Sequence, residues 1–151
     1  MDSPDRITLF TIGFAGKSAE EFFARLQDAG VRRLIDTRLN NVSQLAGFTK
    51  RRDLEYFLRT IAGISYVHDT ELAPTSDILD AYKKGGMTWD EYERRFNELL
   101  QQRAPAEHRE PSEFDHACLL CSEHMPDQCH RRLVAEYMAA HWPEVQISHL
   151  M

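Results

Sequence analysis

At 151 residues, with 42% hydrophobic and 28% charged content, the chain has the length and composition of one folded globular domain. This excludes a disordered chain, and the absence of any apolar run near ~18 residues excludes a helical membrane span. A net charge of −6 argues against a surface that grips nucleic acid throughout, because phosphate binding rests on clustered Lys and Arg.

Short apolar runs alternate with amphipathic helical patterns, which predicts a three-layer, Rossmann-like α/β fold with a mostly parallel sheet of about five strands. Ile7 to Ile12 is the first predicted strand, closed by Gly13. Ser18-Ala19-Glu20-Glu21 forms a capping box, and Phe22, Phe23, Leu26 and Ala29 follow at helical spacing up to a stop at Gly30. Leu34-Ile35 is a short second strand ending in Asp36. A helix from about Lys50 carries Leu54, Phe57, Leu58 and Ile61 on one face, with Gly63 after it. Ile64 to Val67 is a third strand.

Residues 76–84 and 88–103, divided by Gly85-Gly86, read as a helical insertion over about 75–103. The polar stretch from Ala104 to Asp115, with Pro105 and Pro111, reads as an exposed connection. Ala117 to Cys121 is a fourth strand, 128–141 a helix with Asp127 as its cap, and Val145 to Leu150 a last strand. No repeat or second domain is visible, so 1–151 is expected to be a single domain. Three cysteines, with no basic or apolar leader in Met1 to Arg6, suit a reducing compartment, and a cytoplasmic location is expected.

In open parallel sheets, ligands bind beyond the carboxyl ends of the strands. The loops predicted there are 13–17, 36–47, 68–74 and 121–129, and the residues able to do chemistry fall on them. Cys121 ends a strand and Cys129 opens a helix, whose amides and partial positive charge favour a thiolate at Cys129. Cys118, three residues earlier in the same strand, faces the opposite side and reads as core. Glu123 and His130, each close to a cysteine in sequence, are the candidate acid–base groups; His124 reads as solvent-facing. Asp36 and Arg38, at strand-like spacing, either pair or face a ligand together, and a guanidinium suits phosphate or carboxylate. Arg131, directly after His130, would hold the same anion together with Arg38, and Gly13 and Lys17, in a loop before a helix, and His68, at the end of the third strand, are further candidates for binding it. Cys121, Cys129 and His130 are the residues that would hold a metal, with zinc the minority alternative to a site needing no cofactor.

Taken together these segments resemble the domain of unknown function 488 family, a group of small prokaryotic α/β proteins. The resemblance is carried by Thr11-Ile12-Gly13, Gly16-Lys17-Ser18, Asp36-Thr37-Arg38, Ser43, Gly47-Phe48-Thr49-Lys50 and Gly63 to His68. It continues through Cys121-Ser122-Glu123, Pro126, Cys129-His130-Arg131 and Val145 to His149. The pattern departs at Asn41, commonly Pro, and Ala73, commonly Gly. The resemblance implies the fold and the place of the site, and no reaction.

The leading expectation is an enzyme, a cysteine-dependent hydrolase or transferase, acting on a small or nucleotide-like anionic substrate. The alternative is a metal-binding or thiol redox regulatory module. A third possibility is nucleic-acid association through Lys50-Arg51-Arg52 and Arg131-Arg132, disfavoured by the acidic charge.

Overall fold

Five runs rich in apolar residues form strands, Ile7–Gly13 (β1), Arg33–Asp36 (β2), Ser65–His68 (β3), Ala117–Cys121 (β4) and Val145–Leu150 (β5). In the computed structural model, which describes residues 6–40, 47–123 and 125–151, they make one parallel sheet in the order β3-β2-β4-β1-β5. Every residue of β4 is buried, as a central strand covered on both faces requires.

The order explains the layers. The connections β1 to β2 and β2 to β3 move one way across the sheet, and β3 to β4 and β4 to β5 move back. Because such crossovers are right-handed, a reversal of direction puts their helices on opposite faces. One face carries Ala19–Ala29 (α1) and Arg51–Phe57 (α2), whose Phe22, Leu26 and Leu54 pack on Phe10, Ile12, Leu34, Cys118 and Leu120. The other carries Trp89–Arg103 (α4) and His130–His141 (α5), preceded by Ser76–Lys83 (α3), with Phe96, Leu100, Val134 and Met138 on Leu9, Ile35 and Leu119. Each large apolar side chain buried this way is worth ~1.5–3 kcal/mol relative to exposure.

Local chemistry sets the helix ends. Ser18 and Glu21 close both halves of the capping box at α1, and Gly30 ends it at φ 77°. Thr88 caps α4 by accepting a bond from the Glu91 amide. The predicted insertion is therefore the β3-to-β4 crossover and half of one helical layer. The helix from Arg51 continues as a π-helical turn over Leu58–Ala62, ending at Gly63 in the left-handed region.

Two expectations are corrected. The connection between Ala104 and Asp115 is not simply exposed: it forms two 3-10 turns that bury Pro105 and Phe114, and Arg109 pairs with Asp69 and Glu71. The last helix begins at His130 with Cys129 as N-cap, so Asp127 is not its cap. Asn41, Ser43 and His124 lie outside the described residues; Ala73 is fully buried.

Candidate functional site

The central strand β4 feeds a helix on one face, while its neighbours β1 and β2 feed helices on the other. A crevice opens at the carboxyl ends of strands where the winding reverses in this way. Here it is a cleft of about 300 Å³, the lower end of the range for ligand pockets. Cys121, Cys129 and His130 line it from β4 and α5, Arg38 from the loop after β2, and Glu123 from the loop between β4 and α5. Tyr82, Trp89 and Tyr92 line it from α3 and α4.

Cys121 and His130 are in direct contact. Cys121 Sγ lies 3.3 Å from His130 Nδ1, and His130 Nε2 lies 2.7 Å from the Thr37 carbonyl oxygen. A carbonyl can only accept, so Nε2 carries a proton, and in the neutral ring Nδ1 is left as an acceptor facing the thiol. Thr37 is itself fixed: its hydroxyl donates to the Leu120 carbonyl at 2.8 Å and its amide to the same oxygen at 3.1 Å. The imidazole also packs edge-on against Phe96 of α4 at 5.4 Å.

The predicted preference for a thiolate at Cys129 is reversed. Burial and the adjacent Cys121 sulfur push the Cys129 thiol well up. Burial opposes ionisation of Cys121 as well. The Cys129 thiol, the Ser122 and Glu123 amides and the charge of Arg131 outweigh it, and hold the Cys121 thiol below its ordinary range. Cys118 lies on the α1 face at 0% exposure, and burial drives its thiol far up. Tyr92, 2% exposed, also has its phenol pushed up, first by burial and then by the two cleft sulfurs.

Arg38 is 3% exposed and its fork is already engaged. Nε and Nη2 each donate to Asp36 at 2.8 Å, and Nη2 also donates to the Thr49 carbonyl at 2.7 Å. Of the two readings of Asp36-x-Arg38, the structure shows the pairing. Nη1, by contrast, is buried and has no hydrogen-bond partner among the described residues. The Tyr66 hydroxyl donates to Asp36 at 2.6 Å, and this, with Arg38, holds the carboxyl below its usual range although burial acts the other way.

The other predicted residues stand behind the cleft and do not line it. Gly13 packs directly against the Glu123 carbonyl, with no room for a Cβ. Lys17 donates to the Gly13 carbonyl at 2.8 Å, and its pKa is lowered by burial and by Arg131. His68 holds the Arg38 carbonyl at 2.7 Å. Arg131 is 0% exposed and donates to the Glu123 carbonyl and to Thr11 Oγ1, so it straps the Cys121 loop to β1. Arg132 pairs with Glu93 and Glu136, so this arginine doublet is not a cationic surface.

Sequence reasoning assigned no site role to Tyr82, Trp89, Tyr92 and Thr37. Tyr92 falls on the apolar stripe of α4, indistinguishable there from core. Trp89 and Tyr92 stack at 5.0 Å, and Tyr82 meets Trp89 edge-on at 5.8 Å. The only signal at Thr37 is its place between Asp36 and Arg38.

Cys121, Cys129 and His130 have their ligand-capable atoms within 4.8 Å of one another, all three buried. No helix among the described residues is long and apolar enough to cross a membrane. Comparison with curated proteins and with solved structures gave no match. Residues 18–138, most of the chain and including all the cleft-lining side chains named above, match the family model "Domain of unknown function DUF488", and the chain belongs to that family.

Proposed function

We propose that the protein is an enzyme acting on a small or nucleotide-like anionic substrate in the cleft, with Cys121 as nucleophile and His130 as its base. The observation that carries this is the alignment of Cys121 Sγ, His130 Nδ1 and, through Nε2, the Thr37 carbonyl. A nucleophile, a base in contact with it and a fixed group orienting the base are the parts that covalent catalysis needs.

The chemistry follows from those contacts. His130 Nδ1 takes the Cys121 proton, and the sulfur electron pair forms a bond to an electrophilic carbon of the substrate. The imidazolium then returns the proton to the leaving group as its bond breaks. The amides of Ser122 and Glu123, which favour negative charge at Cys121, are placed to stabilise negative charge that develops beside the sulfur. Glu123, exposed on the cleft lining, is the group to activate the water or acceptor that releases the product. The remaining Arg38 Nη1 donors suit a carboxylate or a single phosphate oxygen, and the aromatic wall suits a flat ring.

Alkylation with iodoacetamide tests the reading directly. In metal-free native protein, peptide mapping is expected to find Cys121 modified first, and His130→Ala is expected to slow that modification about tenfold or more. If Cys121 reacts no faster than in unfolded protein at the same pH, or if His130→Ala leaves the rate unchanged, nucleophilic catalysis loses its basis.

A further inference from the structure

Two thiols and an imidazole nitrogen meeting at one buried point are also a ligand set. Tetrahedral zinc with sulfur and nitrogen ligands at roughly 2.3 and 2.0–2.1 Å places those ligand atoms roughly 3.5–3.8 Å apart. Cys121 Sγ and His130 Nδ1 are 3.3 Å apart, and all three ligand atoms lie within 4.8 Å, so side-chain adjustments alone reach that geometry. The support around them is of the kind metal sites use. A ligating histidine usually donates its second ring N–H to a carbonyl or carboxylate, and His130 Nε2 donates to the Thr37 carbonyl. Amides of Ser122 and Glu123 face the Cys121 sulfur, which suits a ligand held as a thiolate.

We propose that Cys121, Cys129 and His130 bind one divalent ion of zinc type at the floor of the cleft, with the fourth coordination position turned towards the cleft. Two thiolates and one neutral imidazole favour zinc over magnesium or calcium, which take oxygen ligands. Two thiolates also balance the ion's double charge, which lets the centre stay buried. Three protein ligands with one open position is the pattern of reactive zinc sites, whereas structural sites are closed by four. All three ligands line the cleft, so a small molecule bound there reaches the open position. This inference rests on the same Cys121–His130 contact as the enzymatic reading. In the metal-loaded protein Cys121 is a ligand, and in the metal-free protein it is the nucleophile.

The test uses full-length protein made without a polyhistidine tag, stripped with chelator, and titrated with zinc or cobalt(II). We expect one zinc per chain by elemental analysis after metal-replete expression. We also expect cobalt(II) to give the intense sulfur-to-metal charge-transfer absorption of a thiolate site. Cys121→Ser, Cys129→Ser and His130→Ala should each weaken binding at least tenfold, while Cys118→Ala leaves it unchanged. Because a site variant can fail to fold, a wild-type measurement stands beside them: saturating zinc should slow iodoacetamide modification of Cys121 and Cys129 at least tenfold. Sub-stoichiometric zinc, cobalt absorption without thiolate character, or undiminished alkylation in zinc would each overturn the proposal. If zinc does not bind but metal-free Cys121 alkylates rapidly, the metal inference falls and the enzymatic reading stands. If zinc binds but metal-free Cys121 is inert, the reverse holds.

Discussion

Gly13 is the position where one methyl group should do the most damage. It ends β1, and the Cys121–Glu123 segment is laid across it: the Phe14 amide donates to the Cys121 carbonyl at 3.3 Å, and Ala15 to the Ser122 carbonyl at 2.9 Å. A Cβ at Gly13 would sit inside the van der Waals envelope of the Glu123 carbonyl oxygen, 2.5 Å from its carbon and 2.8 Å from Arg131 Nη1. The obstacle is backbone, so a rotamer change cannot relieve it. Overpacking a tight site costs ~1–3 kcal/mol, and each strap hydrogen bond lost adds ~0.5–1.5 kcal/mol. Gly13→Ala should therefore lower stability by about 2–6 kcal/mol, or Tm by about 4–24 °C for a chain of this size. Urea unfolding measures the first, with Gly47→Ala as the control, since a Cβ there meets none of the described residues within 4 Å. Alkylation of Cys121 measures the second consequence, because displacing the loop moves the Ser122 and Glu123 amides off the sulfur. A Gly13→Ala protein within about 0.5 kcal/mol of wild type, the scatter of ordinary surface changes, and with unchanged Cys121 alkylation would refute the strap.

Asp36→Asn should cost ~3–5 kcal/mol in urea unfolding, since it leaves the buried Arg38 guanidinium without its counter-charge. The Asp36 carboxyl titrates below its unfolded value, so its share of stability is complete above about pH 4 and lost as pH falls through the folded value. The variant should thus show a flatter loss of stability in acid than wild type; an equally steep one would contradict the pairing. Cys118→Ala should change stability by only about 1 kcal/mol, and Cys118 should stay unmodified by iodoacetamide in native protein, because burial disfavours its thiolate. Trp89 lines the same cleft as the proposed metal ligands whereas Trp142 is buried beside Phe114, so cobalt(II) should quench tryptophan emission in wild type and far less in Trp89→Phe.

The strands were legible because each is a short apolar run, and β1 and β2 are closed by the residues that end them, Gly13 and Asp36. The helices were legible where capping chemistry is local, as at Ser18 with Glu21. The start of α5 was misread because Asp127 is a good cap by composition, yet the chain turns into helix only after Cys129. The aromatic wall was hidden because Trp89 and Tyr82 obey the same spacing as core residues. What separates wall from core is the empty volume opposite them, and no local pattern encodes that.

The sequence by itself determined which elements form and that Cys121, Glu123, Cys129 and His130 fall near strand and helix ends, since these follow from periodicity and capping within a few residues. Only the tertiary structure decided the strand order, which brings Thr37 of one crossover beneath His130 of another, 93 positions away. It also decided that Arg131 holds a loop and that Arg38 is paired, because the reach of a long side chain depends on what stands around it. The two thiols show the difference most directly. A helix start favours ionisation of Cys129 when its own element alone is considered, but burial and the neighbouring Cys121 sulfur reverse that preference.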